Sequence, residues 1–307
     1  MKHIFFIISF TLIFCSSNVY AQKKSRKKAK NQISVNGYLN QYRGIAITEN
    51  KRTNVPASIT LAQGILESAY GNSYLAQKGK NHFGIKCHKE WKAKRIFARG
   101  TKRCYRKYKS AYSSYIDHSN FLRNNKRYKD LFSLDSQNYK EWARGLMDAG
   151  YAEDSLYTKK LIQIIEKHEL YKFDKGSNFL AEGNCDVEVL STTFGFNGLK
   201  MVIFDCPVYP KRISQAYDIS MEDLLKYNPF KESEEIAPNT IVFLESLKKR
   251  GPKDFSRHLV VKDETMESIS HLYGIESSSL YKKNRLKKGE EPIAGNYVYL
   301  RGKAPKR

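Results

Sequence analysis

The chain has 307 residues, of which 54 are Lys or Arg and 31 are Asp or Glu, giving a formal net charge of +23. An excess of that size suits an anionic polymer or surface such as a cell wall, a membrane or a nucleic acid. No nucleic-acid-binding signature is present, so nucleic acid is the least suitable of these. At the start of the chain, Lys2 precedes the apolar run Ile4-Phe5-Phe6-Ile7-Ile8-Ser9-Phe10-Thr11-Leu12-Ile13-Phe14, and Val19-Tyr20-Ala21 offers a small-residue cleavage site. This is the layout of a signal peptide over residues 1–21, and the run is too short to span a bilayer. No transmembrane segment is expected, and bulky Phe14 before Cys15 argues against lipid modification there. Residues 22–35 read as a solvated basic linker carrying Lys23, Lys24, Arg26, Lys27, Lys28 and Lys30, too few charges to account for the whole excess.

Residues 36–173 have the pattern of a helical domain. Tyr38, Leu39, Tyr42, Ile45 and Ala46 are spaced as the buried side of a first helix. In the next helix Pro56 fits the first turn, Ile59, Ala62 and Ile65 or Leu66 mark an apolar face, and Gly71 supplies a stop. Glu67 stands eight residues after Ile59, on or beside that face, where burial raises a carboxyl pKa toward that of a general acid. Between Lys86 and Lys109 the one acid is Glu90, and Cys87 and Cys104 bracket the stretch. In an exported protein such a pair reads as a disulfide closing a hairpin. Metal ligation with His82 and His88 is the rival reading, but no paired-cysteine zinc spacing occurs, so no metal or cofactor is expected. Ser110 then caps a helix bearing Tyr112, Tyr115, Ile116 and Leu122. Tyr139, Trp142, Ala143, Leu146 and Met147 make another stripe that ends at Gly150. Asp154 or Ser155 opens a last helix that closes the domain near Tyr171.

The run from Pro56 to Ser68 is followed in order by Asn81-His82-Phe83-Gly84-Ile85-Lys86-Cys87, Tyr105-Arg106-Lys107-Tyr108-Lys109-Ser110, Asp117-His118-Ser119-Asn120-Phe121-Leu122 and Ala149-Gly150-Tyr151-Ala152. Together these resemble the flagellar and autolysin-type N-acetylglucosaminidases of glycoside hydrolase family 73. The resemblance implies a mainly α, lysozyme-like fold with one small β-hairpin, with Glu67 as general acid and Tyr151 as its assistant. It also implies a cleft lined by Tyr70, Asn81, Phe83, Trp91 and Asp117. The sequence departs from that pattern in the hairpin, where relatives commonly carry acids and this chain has Ala93-Lys94-Arg95-Ile96-Phe97-Ala98-Arg99-Gly100-Thr101-Lys102-Arg103. A second carboxyl group would have to be Glu90, Asp117 or Asp148, unless the substrate acetamido group attacks instead or the chemistry has been weakened or lost.

After Phe173, residues 174–200 read as a linker with a β segment, and Cys185 and Cys206 suggest a second disulfide. Residues 201–246 and 257–301 then repeat the order strand, helix, helix, strand. They resemble the LysM module, which grips N-acetylglucosamine chains. Asp263-Glu264-Thr265 stands where that family has Gly-Asp-Thr, so the resemblance places Thr265 and the following helix N-terminus in a sugar groove, a signature the first copy lacks. The expected function is hydrolysis of peptidoglycan on the reducing side of N-acetylglucosamine, by an exported monomer that is periplasmic, envelope-associated or secreted. The alternatives are a glycan-binding protein without chemistry, or a wall amidase using a metal or a Cys–His nucleophile.

Overall fold

In the computed structural model, residues 32–88, 91–175 and 191–306 are described. The signal peptide, most of the basic linker, Glu90 and Cys185 lie outside the described residues. Helix α1 (Val35–Thr53) buries Tyr38, Leu39, Tyr42, Ile45 and Ala46, the face its spacing predicts. Helix α2 (Ala57–Ser68) is buried along most of its length, from Ala57 to Ile65. Its mean apolarity and its central place require neighbours on several sides, and α1, α5 (Tyr139–Asp148) and α6 (Tyr157–Lys167) supply them, with α4 (Ala111–Asn124) reaching it through His118. A short α3 (Tyr74–Gly79) precedes the hairpin.

Pro56 occupies the N-cap position of α2, with φ −53° and ψ 135°, one residue before the first turn in which the sequence places it. Proline has no side chain able to accept from the free N–H groups at a helix start. Asp174 performs that service from the far end of the domain. Its Oδ1 accepts from the Ser58 N–H at 2.8 Å and its Oδ2 from the Ser58 hydroxyl at 2.5 Å. Asp174 sits in a 3-10 turn, Leu170–Lys175, so the helical region runs on past Tyr171, and the first residue of the expected linker belongs to its core. Burial pushes the Asp174 carboxyl up to about 7, against the lowering effect of the bonds from Ser58.

Glycine is required at Gly64. A Cβ there would lie 2.5 Å from the Tyr38 hydroxyl and 3.2 Å from that of Tyr115. Those two hydroxyls bond each other at 2.8 Å, and Tyr38 also bonds His82 Nδ1 at 3.1 Å, so the helix rests directly on a buried polar cluster.

Strands β1 (Arg95–Phe97) and β2 (Cys104–Arg106) pair antiparallel, Ile96 opposite Tyr105, and the Cys87–Cys104 disulfide closes the hairpin as expected. Farther on, β3 (Ser191–Phe196), β4 (Leu199–Phe204), α7 (Pro210–Tyr217), α8 (Met221–Tyr227) and β5 (Ile241–Phe243) form the first repeat, with sheet order β3-β4-β5. The expected β segment thus becomes an added edge strand. The second repeat is β6 (Arg257–Leu259), α9 (Met266–Tyr273), α10 (Ser277–Asn284) and β7 (Tyr297–Tyr299).

Equivalent side chains confirm the internal repetition. Asn228 donates to the carbonyls of Leu224 and Phe243 and accepts from Phe243, and Asn284 does the same with Leu280 and Tyr299. Cys206 is disulfide-bonded. The first repeat docks on α1 through Arg43 to Asp205 at 2.6 Å, the Thr48 hydroxyl to the Asn239 carbonyl at 2.7 Å and Lys51 to the Pro238 carbonyl at 3.1 Å. Among the described residues no helix is long and apolar enough to cross a membrane.

Two outcomes follow for stability. Gly64→Ala should cost about 1–3 kcal/mol by forcing the Tyr38 and Tyr115 hydroxyls apart, read as a lowered midpoint in denaturant. The native state holds a proton on Asp174 that the unfolded chain releases, so this group's stabilisation is complete below its ordinary 3.8 and is lost as pH rises through about 7. Asp174→Asn should remove that part of the pH dependence in thermal melts between pH 4 and 8. An unchanged slope would show that Asp174 is ionised when folded.

Candidate active site

Gln63 and Glu67 are four residues apart on α2 and therefore share one face. That face meets α4 and α6. Gln63 donates through Nε2 to the Tyr157 hydroxyl at 2.9 Å, and its Oε1 meets His118 Nε2 at 3.0 Å. With the amide assigned this way, His118 carries its proton on Nε2, and Nδ1 is buried without a partner. Burial lowers the His118 pKa to about 3, so the ring is neutral. His118 stacks on Phe83 at 4.0 Å and meets the edge of Tyr151 at 6.5 Å, while Tyr151 stacks on Tyr157 at 5.6 Å. The result is an aromatic wall fixed from behind by Gln63.

Glu67 stands at the open end of this wall. Its side chain is exposed, in contrast to the position on the apolar face expected from helical spacing, because α2 reaches the rim of the domain in its last turn. Enough protein still surrounds the carboxyl for desolvation to raise its pKa. One boundary is Gly84, at φ +61°, where a Cβ would lie 3.8 Å from Glu67 Oε2. The other is the tyrosine pair. Burial raises the Tyr151 hydroxyl well above its ordinary value, and the neighbouring Tyr157 and Glu67 raise it further, so it remains a protonated phenol.

The turn after Glu67 is unusual. Ala69, Tyr70 and Gly71 have φ of +50°, +57° and +79° in succession. Ala69 is the C-cap, two residues before the stop expected at Gly71. A left-handed conformation costs roughly 1–2 kcal/mol at each of the two non-glycine residues. The Ser68 hydroxyl offsets part of this, donating to the Gly64 carbonyl at 2.5 Å and accepting from the Gly71 N–H at 2.6 Å. The reversal leaves Tyr70 39% exposed beside Glu67.

Of the other residues expected to line the cleft, four are used internally. Asn81 accepts from Ile85 N–H and donates to the Ile85 and Arg106 carbonyls, holding the Gly84 turn against the hairpin. Phe83 is buried in the stack with His118. Trp91 is buried too, its indole N–H donating to the Lys94 carbonyl and its ring lying 4.8 Å from the Arg106 guanidinium. Asp117 accepts two bonds from Arg106, at 2.9 and 2.7 Å, and one from the Tyr108 hydroxyl at 2.5 Å, fastening the hairpin to α4. The ion pair and the tyrosine bond together engage both oxygens of the Asp117 carboxylate. Sequence reasoning did not assign roles to Gln63, Tyr157 or Gly84. The spacing of Gln63 to Glu67 was the one local signal that could have found Gln63.

In the second repeat, Thr265 is exposed and caps α9, accepting from Ser268 N–H, while Ser268 bonds back to the Thr265 N–H. The Met266 N–H donates to Glu291 at 2.7 Å. Three of the donors at the start of α9, the Thr265, Met266 and Ser268 N–H groups, are therefore engaged within the protein.

Residues 43–170 match the glucosaminidase family model, described as mannosyl-glycoprotein endo-beta-N-acetylglucosaminidase, and residues 211–244 and 258–296 match the LysM model. The chain carries a glucosaminidase domain followed by two LysM repeats. It is 33% identical over 188 residues to the exo-glucosaminidase LytG of Bacillus subtilis, covering 55% of this chain and 62% of that protein. It is 32% identical over 137 residues to the peptidoglycan hydrolase FlgJ of Pseudomonas aeruginosa, covering 40% of this chain and 34% of that one. A solved peptidoglycan hydrolase from Sphingomonas sp. A1 aligns at 27% identity and a TM-score of 0.41, over 48% of this chain and 97% of that structure. The chain thus spans less than two thirds of these two curated relatives.

Glu67 of the glucosaminidase domain gives a direct pH signature. Its carboxyl binds a proton more tightly folded than unfolded, so its favourable contribution is present at low pH and is lost as pH rises through the raised value. Glu67→Gln should therefore melt higher than the parent at pH 7 to 8, with the gap closing by about pH 4. An equal gap at both ends would show that Glu67 titrates as an ordinary surface glutamate.

Proposed function

We propose that this chain is an exported hydrolase of peptidoglycan, cleaving the β-1,4 bond on the reducing side of N-acetylglucosamine within the glycan. The observation that carries this reading is Glu67, a carboxyl with a raised pKa at the mouth of an aromatic wall in a glucosaminidase domain. A proton-loaded carboxyl donates to the leaving glycosidic oxygen. Tyr151, kept protonated, hydrogen-bonds the sugar or a water, and the exposed ring of Tyr70 offers a stacking surface at the same rim. The LysM repeats hold the enzyme on its polymer, raising the local substrate concentration. The +23 net charge favours a polymer bearing lactyl and peptide carboxylates.

With both Asp117 oxygens engaged, the second half of the reaction falls to Glu90, to Asp148 or to the acetamido group of the bound sugar. The geometry of the site gives an amidase reading no support. Cys87 and Cys104 are joined and offer no thiolate, and among the described residues no group of three or more His, Cys, Asp or Glu could hold a metal.

Digestion of purified peptidoglycan, followed by borohydride reduction and mass spectrometry, tests the reading. Reduced N-acetylglucosamine ends are expected, with an early fall in glycan length marking internal cleavage. Glu67→Gln should lower the rate by about 10²–10⁴-fold. Tyr151→Phe should lower it by about ten-fold, the worth of one hydrogen bond. Reduced muramic ends, or free stem peptides, would defeat the proposal.

A further inference from the structure

A second cavity lies away from Glu67. It is a groove of about 800 Å³ between the two LysM repeats, with Lys226 and Tyr227 of α8, Leu247 of the connection, and Tyr281, Lys282 and Lys288 of the second repeat in its walls. That volume lies within the usual range for a small-molecule site. Its walls are fixed relative to each other. Asn197 donates to the carbonyls of Arg250, Tyr273 and Gly274, Lys248 exchanges backbone hydrogen bonds with Gly274 and Glu276, and His271 of the second repeat meets Asn228 of the first at 3.3 Å. Gly274 packs so closely on Leu199 and Phe243 that a Cβ would meet them at 2.8 and 3.1 Å. The groove is therefore pre-formed, and its occupant does not have to order it.

Its charges are unequally committed. Glu267 accepts from the Ser277 hydroxyl and Glu276 from that of Ser279, whereas Lys226, Lys282 and Lys288 have no side-chain partner among the described residues. Polar groups elsewhere in the two repeats are engaged within the protein. In the first repeat, Asp205 and the Pro238 and Asn239 carbonyls grip α1, and in the second, Thr265, Ser268 and Glu291 satisfy the start of α9.

We propose that this inter-repeat groove binds the carboxylates of the acidic peptide attached to the glycan, the lysines pairing with the charges while Tyr227, Leu247 and Tyr281 contact the apolar parts. The two repeats thus act as one site that reads peptide substitution. This deepens the peptidoglycan reading and rests on it.

The test uses the full chain in a Glu67→Gln background, so that the probes survive. The probes are a soluble disaccharide–tripeptide with free carboxylates, the same compound with its carboxylates amidated, and chitotetraose, which carries no peptide. Titration calorimetry is expected to show the acidic probe binding about ten-fold more tightly than the amidated one. Lys226→Glu, Lys282→Glu and Lys288→Glu combined should abolish that preference, leaving chitotetraose binding unchanged. Equal affinity for the acidic and amidated probes, or an unchanged preference in the triple variant, would overturn the site. If the parent enzyme with Glu67 intact still releases reduced N-acetylglucosamine ends, that failure belongs to the groove alone. Absence of both hydrolysis and binding would overturn the function with it.

Discussion

Asp174 accepts from the backbone and side chain of Ser58, and this one buried contact sets where the helix bearing Glu67 begins. Nothing local could do so, because the N-cap residue is a proline and has no acceptor to offer. The last turn of the domain therefore fixes the axial position of its central helix, nine residues ahead of the carboxyl on which the proposed chemistry depends. The other end is fixed by different means. Three successive left-handed residues, held by the Ser68 hydroxyl, turn the chain away immediately after Glu67 and keep its side chain at the rim. A helix anchored at both ends holds its side chains in place, and a general acid needs that placement as much as it needs its pKa.

Much of this was legible in the sequence. Helical spacing identified the buried faces of α1 and α4, Ser110 announced its own cap, and the cysteine spacing gave the hairpin disulfide. Local rules work there because the determinants lie within one or two turns of each other. Asp174 was invisible for the opposite reason, being separated from Ser58 by 116 residues with no pattern to join them. The cleft residues divide in the same way. The resemblance named Asn81, Phe83, Trp91 and Asp117 together, but it could not separate a residue that touches ligand from one that builds the wall behind it. Asp117 illustrates the difficulty, since its acidity suggests chemistry until the Arg106 guanidinium and the Tyr108 hydroxyl are seen to occupy both oxygens.

The repeats show how one motif is put to two uses. Both copies bracket the end of their second helix with an asparagine, Asn228 or Asn284, and both turn on a left-handed residue, Asp218 or Gly274. The copies diverge at their loops. Those of the first repeat hold Arg43, Thr48 and Lys51 of α1, and in the second Glu264 bonds His258 at 2.7 Å while lying 4.0 Å from Arg52. The attachment includes short polar contacts to the helix that also packs against α2, beside apolar packing such as Tyr112 on Phe196. Binding energy gained at the repeats therefore acts on a glucosaminidase domain held at a set distance, without the entropy loss of a long flexible tether.

The two raised pKa values near the cleft have different chemical meanings. For Glu67, desolvation raises the value, the direction that favours the proton-bearing form the proposed general acid would use. For Tyr151, whose ordinary value is already far above neutrality, it removes the phenolate from consideration. Tyr151 then cannot serve as the base or nucleophile that the basic hairpin fails to provide. It can only donate or accept a hydrogen bond. A phenol in that position suits a reaction in which the attacking oxygen belongs to the substrate's own acetamido group, since such an oxygen needs orienting rather than deprotonating. A hairpin that carries Lys94, Arg95, Arg99, Lys102 and Arg103 and no acid from Ala93 to Arg103 is consistent with the proposed division of labour, the carboxyl of Glu67 supplying the proton and the sugar supplying the nucleophile.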